Sequence, residues 1–154
     1  MENDWCLYVF VREDLSSMNH GKALAHSGHA TSQAILSGMS KTGVSDDIRE
    51  WLSQADDFGT QINISVPYNK WFSLLVEATS NNLHCGQVVD PTYPYIISKE
   101  MLELIDSKLH THIPLDIGKG KVLCCRREVT AGWIFTRKSH PFVQSNIKQF
   151  KLAK

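Results

Sequence analysis

The sequence has no apolar stretch long enough to span a membrane. Its N-terminal run, residues 5–11 (WCLYVFV), falls well short of the ~20 residues a helical span needs. Acidic Glu2 and Asp4 precede that run, where a secretory leader carries basic residues, so a cytoplasmic protein is expected. Four cysteines, Cys6, Cys85, Cys124 and Cys125, form no C-x-x-C pair, and adjacent Cys124 and Cys125 are poorly placed for an ordinary bridge. Reduced, mostly buried thiols are expected. There is no G-x-S-x-G elbow, no H-E-x-x-H pair and no phosphate loop; GKGK at 118–121 is too short to be one. Repeats, low-complexity tracts and linkers are also missing. The 154 residues suit one domain spanning 1–154. Net charge is zero, with 16 basic and 16 acidic side chains.

What is present is an alternation of strand-like and helix-like segments. Residues 5–11 are apolar, aromatic and β-branched and predict a buried strand. Ser16 or Ser17 caps an expected helix running to about Ser37, with Gly38 as its stop. Ile48, Trp51, Leu52 and Ala55 recur at helical spacing behind Ser45. Strands are expected at 60–66 and 84–90, with a helix over 69–82 between them. A further helix is expected over 98–109, capped by Ser98, then two strands, 121–129 and 131–138. Such alternation is that of βαβ units. The fold class is therefore α/β, a two- or three-layer sandwich with a mixed, mostly parallel sheet of four to five strands. The segment 139–154 has weak periodicity and is expected to be a loosely attached tail.

The densest chemistry lies in HGKALAHSGHAT, residues 20–31. At helical spacing Lys22, His26 and His29 fall within about 60° of one another, so they share a face. Leu24, Gly28, Thr31 and Ile35 lie opposite and are the expected core face. Small residues around them allow close approach, and the start of a helix after a strand favours an anion. Three readings compete: a metal site on His26 and His29 with a ligand such as Asp90, simple packing of half-buried histidines, or a catalytic surface. A metal site lacks the usual ligand patterns and has a cationic neighbour in Lys22, so no metal and no cofactor are expected. HAT at 29–31 fits one element of the two-histidine phosphodiesterases, but HTH at 110–112 does not supply the second.

The opening YVFVREDLSSMNHGKALAHSGHA resembles that of the type 2 peptidyl-tRNA hydrolases. That family begins with an apolar strand, Arg-x-Asp-Leu, Met, and a Gly-Lys-x-Ala-Ala-Gln-x-x-His-Ala stretch. Arg12, Asp14, Leu15, Met18, Gly21, Lys22, Ala25, His29 and Ala30 match it here, and the similar region extends over about residues 5 to 92. Asp90 and Thr92 stand where the family has an Asp followed by a Thr. The resemblance implies hydrolysis of the ester of peptidyl-tRNA or N-blocked aminoacyl-tRNA. Lys22 and Asp90 would face each other across the active surface, with His26, His29, Thr92 and Thr130 as supporting polar groups. It also implies a homodimer. Departures are His26 in place of a Gln, the Asp90-Pro91-Thr92 segment, and about 25 residues inserted before the last strand. His112, in the insertion, is a further candidate neighbour. The altered Asp90-Pro91-Thr92 segment with its insertion favours the rival reading, a catalytically silent module of the same fold that binds tRNA, a nucleotide or a protein.

Charge is unevenly spread. From residue 117 onward there are nine basic residues and one acid, Glu128, which suits an anionic partner such as tRNA. Arg126, Arg127, Arg137 and Lys138 are the expected nucleic-acid contacts, placed on two neighbouring strands near the site.

Overall fold

The computed structural model describes residues 4–54, 59–105, 108 and 113–153. Strand β1 is Trp5–Val11, and helices α1 (His20–Met39) and α2 (Ser45–Leu52) follow. Then come β2 (Gln61–Ser65), α3 (Tyr68–Ser80), β3 (His84–Ser98), α4 (Lys99–Leu104), β4 (Leu115–Gly118) and β5 (Lys121–Arg137). A π-helical turn at Val143–Ile147 and the two-residue β6, Lys151–Leu152, end the chain.

The strands form one mixed six-stranded sheet in the order β3-β5-β1-β2-β6, with β4 added on β5. Among the described residues only β1 and β2 run parallel; β1–β5, β2–β6, β3–β5 and β4–β5 are antiparallel. The mostly parallel sheet of four to five strands expected from the segment order is thus corrected. One βαβ unit is present, but β3 and β5 pair as a long hairpin.

Alternation along β1 builds two cores. Leu7 and Val9 face α1 and α2, packing with Ala30, Ala34, Ile48 and Trp51. Cys6, Tyr8 and Phe10 face the other way, onto Trp71, Leu74 and Ala78 of α3. Helices cover both faces, so the architecture has three layers. Burial also holds the Cys6 thiol up at about 11, so it stays protonated.

Residues 139–153 are no loose tail. Phe142, Val143 and Ile147 complete the α3-side core, each no more than 3% exposed. Beyond them β6 pairs with β2 through Ile64 and Ser65. The weak periodicity of this segment reflects its π-helical turn, whose spacing fits neither a helix nor a strand.

Two strands expected at 121–129 and 131–138 are one strand, β5. Similarly, β3 does not end at Asp90 but continues to Ser98. The inserted residues thus extend the β3–β5 hairpin into an arm carrying α4 and β4. Ser98 caps α4, accepting from the Met101 N–H. The helix closes at Leu104 with Ile105 as its C-cap; of the remainder expected up to residue 109, residues 106, 107 and 109, like His112, lie outside the described residues. No helix among the described residues is long and apolar enough to cross a membrane.

His84 locks α1 to the sheet. It lies edge-on to Trp133, bonds to the Ala34 carbonyl through Nε2 (3.2 Å) and accepts from Lys41 Nζ at Nδ1 (3.3 Å). Only the neutral ring, with its proton on Nε2, makes both bonds. Burial, with Lys41 adding to it, holds its pKa below the ordinary histidine value. His26 shifts the same way. Because the folded protein binds these protons more weakly, stability is retained above about pH 6.5, the unfolded value, and falls as pH drops below it. The urea midpoint is therefore expected to be lower at about pH 5.5 than at about pH 7.5, and His84→Gln should shrink the difference. Equal midpoints for the wild type would contradict this.

Candidate active site

The site forms at the carboxyl end of β1, where two irregularities re-aim side chains. Val88 pairs with Ala131 and Val89 with Val129, which leaves Thr130 as a bulged residue on β5. On one side of it Val129 packs with the α3-side core, and on the other Ala131 packs with the α1-side core. The bulge therefore turns the strand's alternation over and delivers Thr130 to the α1 side. A second register shift lies between Asp90 and Tyr93. Pro91, which has no N–H to pair, sits within it. There Asp90 Oδ1 accepts from the Thr92 N–H (2.8 Å) and the Thr92 hydroxyl (3.3 Å), a local turn that fixes the carboxylate.

Helix α1 supplies the other wall. It starts later than expected: Asn19 is the cap, accepting from the Lys22 N–H, after Met18 closes a turn on Leu15. The expected core face is corrected. His26, Ser27, Ala30, Ala34 and Gly38 are buried, whereas Leu24 is 71% exposed. Gly38 does not stop the helix. It lies within it, where a side chain would meet Ile48 Cγ1 at 2.9 Å.

His26 is the pivot. Its Nδ1 is 3.1 Å from Thr130 Oγ1, and its Nε2 is 3.8 Å from Asp90 Oδ2. A carboxylate opposite Nε2 favours the tautomer with the proton there, leaving Nδ1 to accept from the Thr130 hydroxyl. Burial pushes the His26 pKa below the ordinary value; Asp90 opposes this, and His29 and Lys22 add to it. The ring is thus neutral near pH 7. His29 stacks edge-on against it, with 5.7 Å between centroids, and is exposed.

Lys22 projects over Tyr93, with Nζ 5.3 Å from the ring centroid, within cation–π range. It makes no ion pair with Asp90; the ring facing that carboxylate is neutral His26, 3.8 Å away. Tyr93, fully buried, contacts both His26 and Tyr95. Of the expected site residues, Lys22 and His26 lie against it, while His29, Thr130 and Asp90 lie against His26, and Thr92 holds Asp90. Tyr93 itself carries no family signal in the sequence.

Below them Arg12 is buried and holds Asp14 and Glu128, and its guanidinium carbon lies 3.4 Å from the Tyr68 ring centroid. Glu128 also accepts from the Tyr95 hydroxyl at 2.6 Å. This network ties the end of β1 to the interior of β3 and β5. The Arg-x-Asp motif is legible in the sequence; its partner Glu128, 116 residues away, is not.

The four expected nucleic-acid contacts divide. Arg126 pairs across from Tyr93, with its guanidinium over Tyr95, and Arg127 beside it is exposed. Arg137 stands ten residues along the same strand, roughly 34 Å away. It is bound to Asp4 and Glu50 and lies over Trp5. Lys138 follows it, its N–H on the Asp4 carbonyl. Arg137 and Lys138 are therefore corrected as site neighbours: β5 is a single long strand, not two short ones folded together. Among the described residues no group of three or more His, Cys, Asp or Glu side chains is placed to hold a metal ion. No protein-family model and no curated protein matches the chain.

Proposed function

We propose that this chain hydrolyses the ester joining the acyl group to the terminal ribose of peptidyl-tRNA or N-blocked aminoacyl-tRNA, releasing free tRNA. The observation that carries the reading is the convergence of Lys22, His26, Asp90 and Thr92 at the end of β1, beside Arg126 and Arg127. The resemblance over residues 5–92 supports it. So does the placement of the insertion, which lengthens the β3–β5 hairpin outward and leaves the last strand beside β3 and β1.

In this reading Thr92 aims the Asp90 carboxylate, and Asp90 takes a proton from water as its oxygen attacks the ester carbonyl. The Lys22 ammonium stabilises the negative charge that develops on the carbonyl oxygen. As the carbon–oxygen bond to the ribose breaks, the proton passes from Asp90 to the ribose oxygen. Neutral His26, held by Thr130, steadies the carboxylate. It stands where the family has a glutamine: the neutral ring with its proton on Nε2 offers one N–H, where a carboxamide offers two. Arg126 and Arg127 meet the phosphate backbone, with little base readout.

Release of N-acetyl-aminoacyl groups from charged tRNA tests the reading. The wild type should turn over, and Lys22→Ala should lose about 100-fold or more of that rate, the usual weight of one oxyanion contact. Binding of charged tRNA without turnover would replace this reading by that of a silent binding module.

A further inference from the structure

An open groove of about 920 Å³ lies on the other flank of α1 from His26, over the carboxyl ends of the parallel strands β1 and β2. Its lining is mostly apolar, with a strip of polar side chains where α1 meets β2. Ser27 of α1, only 5% exposed, donates to Asn63 Oδ1 and accepts from Gln61 Nε2. Ser65, two residues further along β2, donates to Glu13. Leu24 and Leu152, 71% and 70% exposed, form apolar lips.

We infer that this groove receives the peptide arm of the substrate, an extended neutral chain of several residues. The inference rests on the hydrolase reading for the chemistry at His26, and on three observations of its own. First, the groove and the site flank the same helix turns: Ser27 follows His26 directly in sequence. Crossing that helix is a distance on the order of 10 Å, about three extended residues. Second, Asn63 and Ser65 are alternate residues on one strand face, the spacing at which an extended peptide repeats its own polar groups. Asn63 Oδ1 is already occupied, so its amide NH₂ is the group that donates to a ligand carbonyl. Third, the groove carries one acid, Glu13, one lysine, Lys151, and one histidine, His20, and so favours neither a polyanion nor a polycation. The basic side chains Arg126 and Arg127 lie on the opposite side of the site, on the β3–β5 arm. The tRNA and its acyl chain thus leave the ester in opposite directions.

Two non-hydrolysable probes separate this from the hydrolase reading. Both are 3′-amino-3′-deoxyadenosines, one carrying N-acetyl-alanine and the other N-acetyl-tetra-alanine through a 3′-amide. Backbone amide shifts of the full chain should move at Ser27, Asn63 and Ser65 with the longer probe only. The longer probe should bind about tenfold tighter, the worth of roughly one added hydrogen bond. Ser65→Trp, and independently Leu24→Glu on the exposed lip, should abolish that difference while the shorter probe binds as before. Equal affinities, shifts confined to the His26 flank, or no binding of either probe would overturn the groove assignment. No turnover is needed: groove shifts in a protein that does not hydrolyse the ester would sink the hydrolase reading and keep the peptide groove. Hydrolysis without any dependence on peptide length would do the reverse.

Discussion

Asp90→Asn is expected to lower turnover of N-acetyl-aminoacyl-tRNA by about 100-fold or more, the range in which a positioned base contributes. The substitution is nearly isosteric. The carboxamide oxygen can still accept from the Thr92 N–H and hydroxyl, so the local turn after Val89 persists. What disappears is the negative charge 3.8 Å from His26 Nε2 and the capacity to take a proton. Thermal melting should therefore move little while kcat collapses. A variant that melts like the wild type and retains full activity would mean that Asp90 is a structural turn residue and that the chemistry lies elsewhere.

Truncation after Lys138 is expected to unfold the protein. Phe142, Val143 and Ile147 are each 2–3% exposed, packed beside Phe10-side core residues such as Trp71 and Leu74. Burying each such side chain is worth about 1.5–3 kcal/mol, so the three together contribute roughly 5–9 kcal/mol. Domains of this kind have about 5–15 kcal/mol in total. Loss of β6 also exposes the edge of β2 at Ile64 and Ser65, an opening for aggregation. Circular dichroism and denaturant titration of residues 1–138 should show no cooperative transition. A truncated chain with an unchanged midpoint would show that the C-terminal segment merely rests on the core.

Local features were legible in the sequence where periodicity and packing agree. Residues 5–11 read as a strand and form β1, because alternation there feeds two apolar cores at once. The gathering of Lys22, His26 and His29 on one side of α1 followed from helical spacing alone. Hydrophobicity misled where polar groups are buried. α1 packs on the polar face of β2, with Ser27 against Gln61 and Asn63, and on Thr130 through His26. Its buried stripe therefore contains His26 and Ser27, while Leu24 points outward. The strand expected at 84–90 stops before DPTYP, yet Pro91 lies in a bulge and Pro94 pairs in register with Cys125. Bulges of this kind depend on the facing strand, so one segment cannot reveal them. For the same reason Thr130 was locatable only by family resemblance and Tyr93 not at all. Charge counting failed in its own way: Arg137 belongs to the basic C-terminal part, but Asp4 and Glu50 from the acidic part neutralise it.

Single-turnover hydrolysis of N-acetyl-aminoacyl-tRNA, with wild-type protein in large excess over substrate, isolates the chemical step from binding and release. Free tRNA should appear in one exponential phase far faster than spontaneous ester hydrolysis. A bound substrate whose ester decays only at the protein-free rate would contradict catalysis by Lys22, His26 and Asp90.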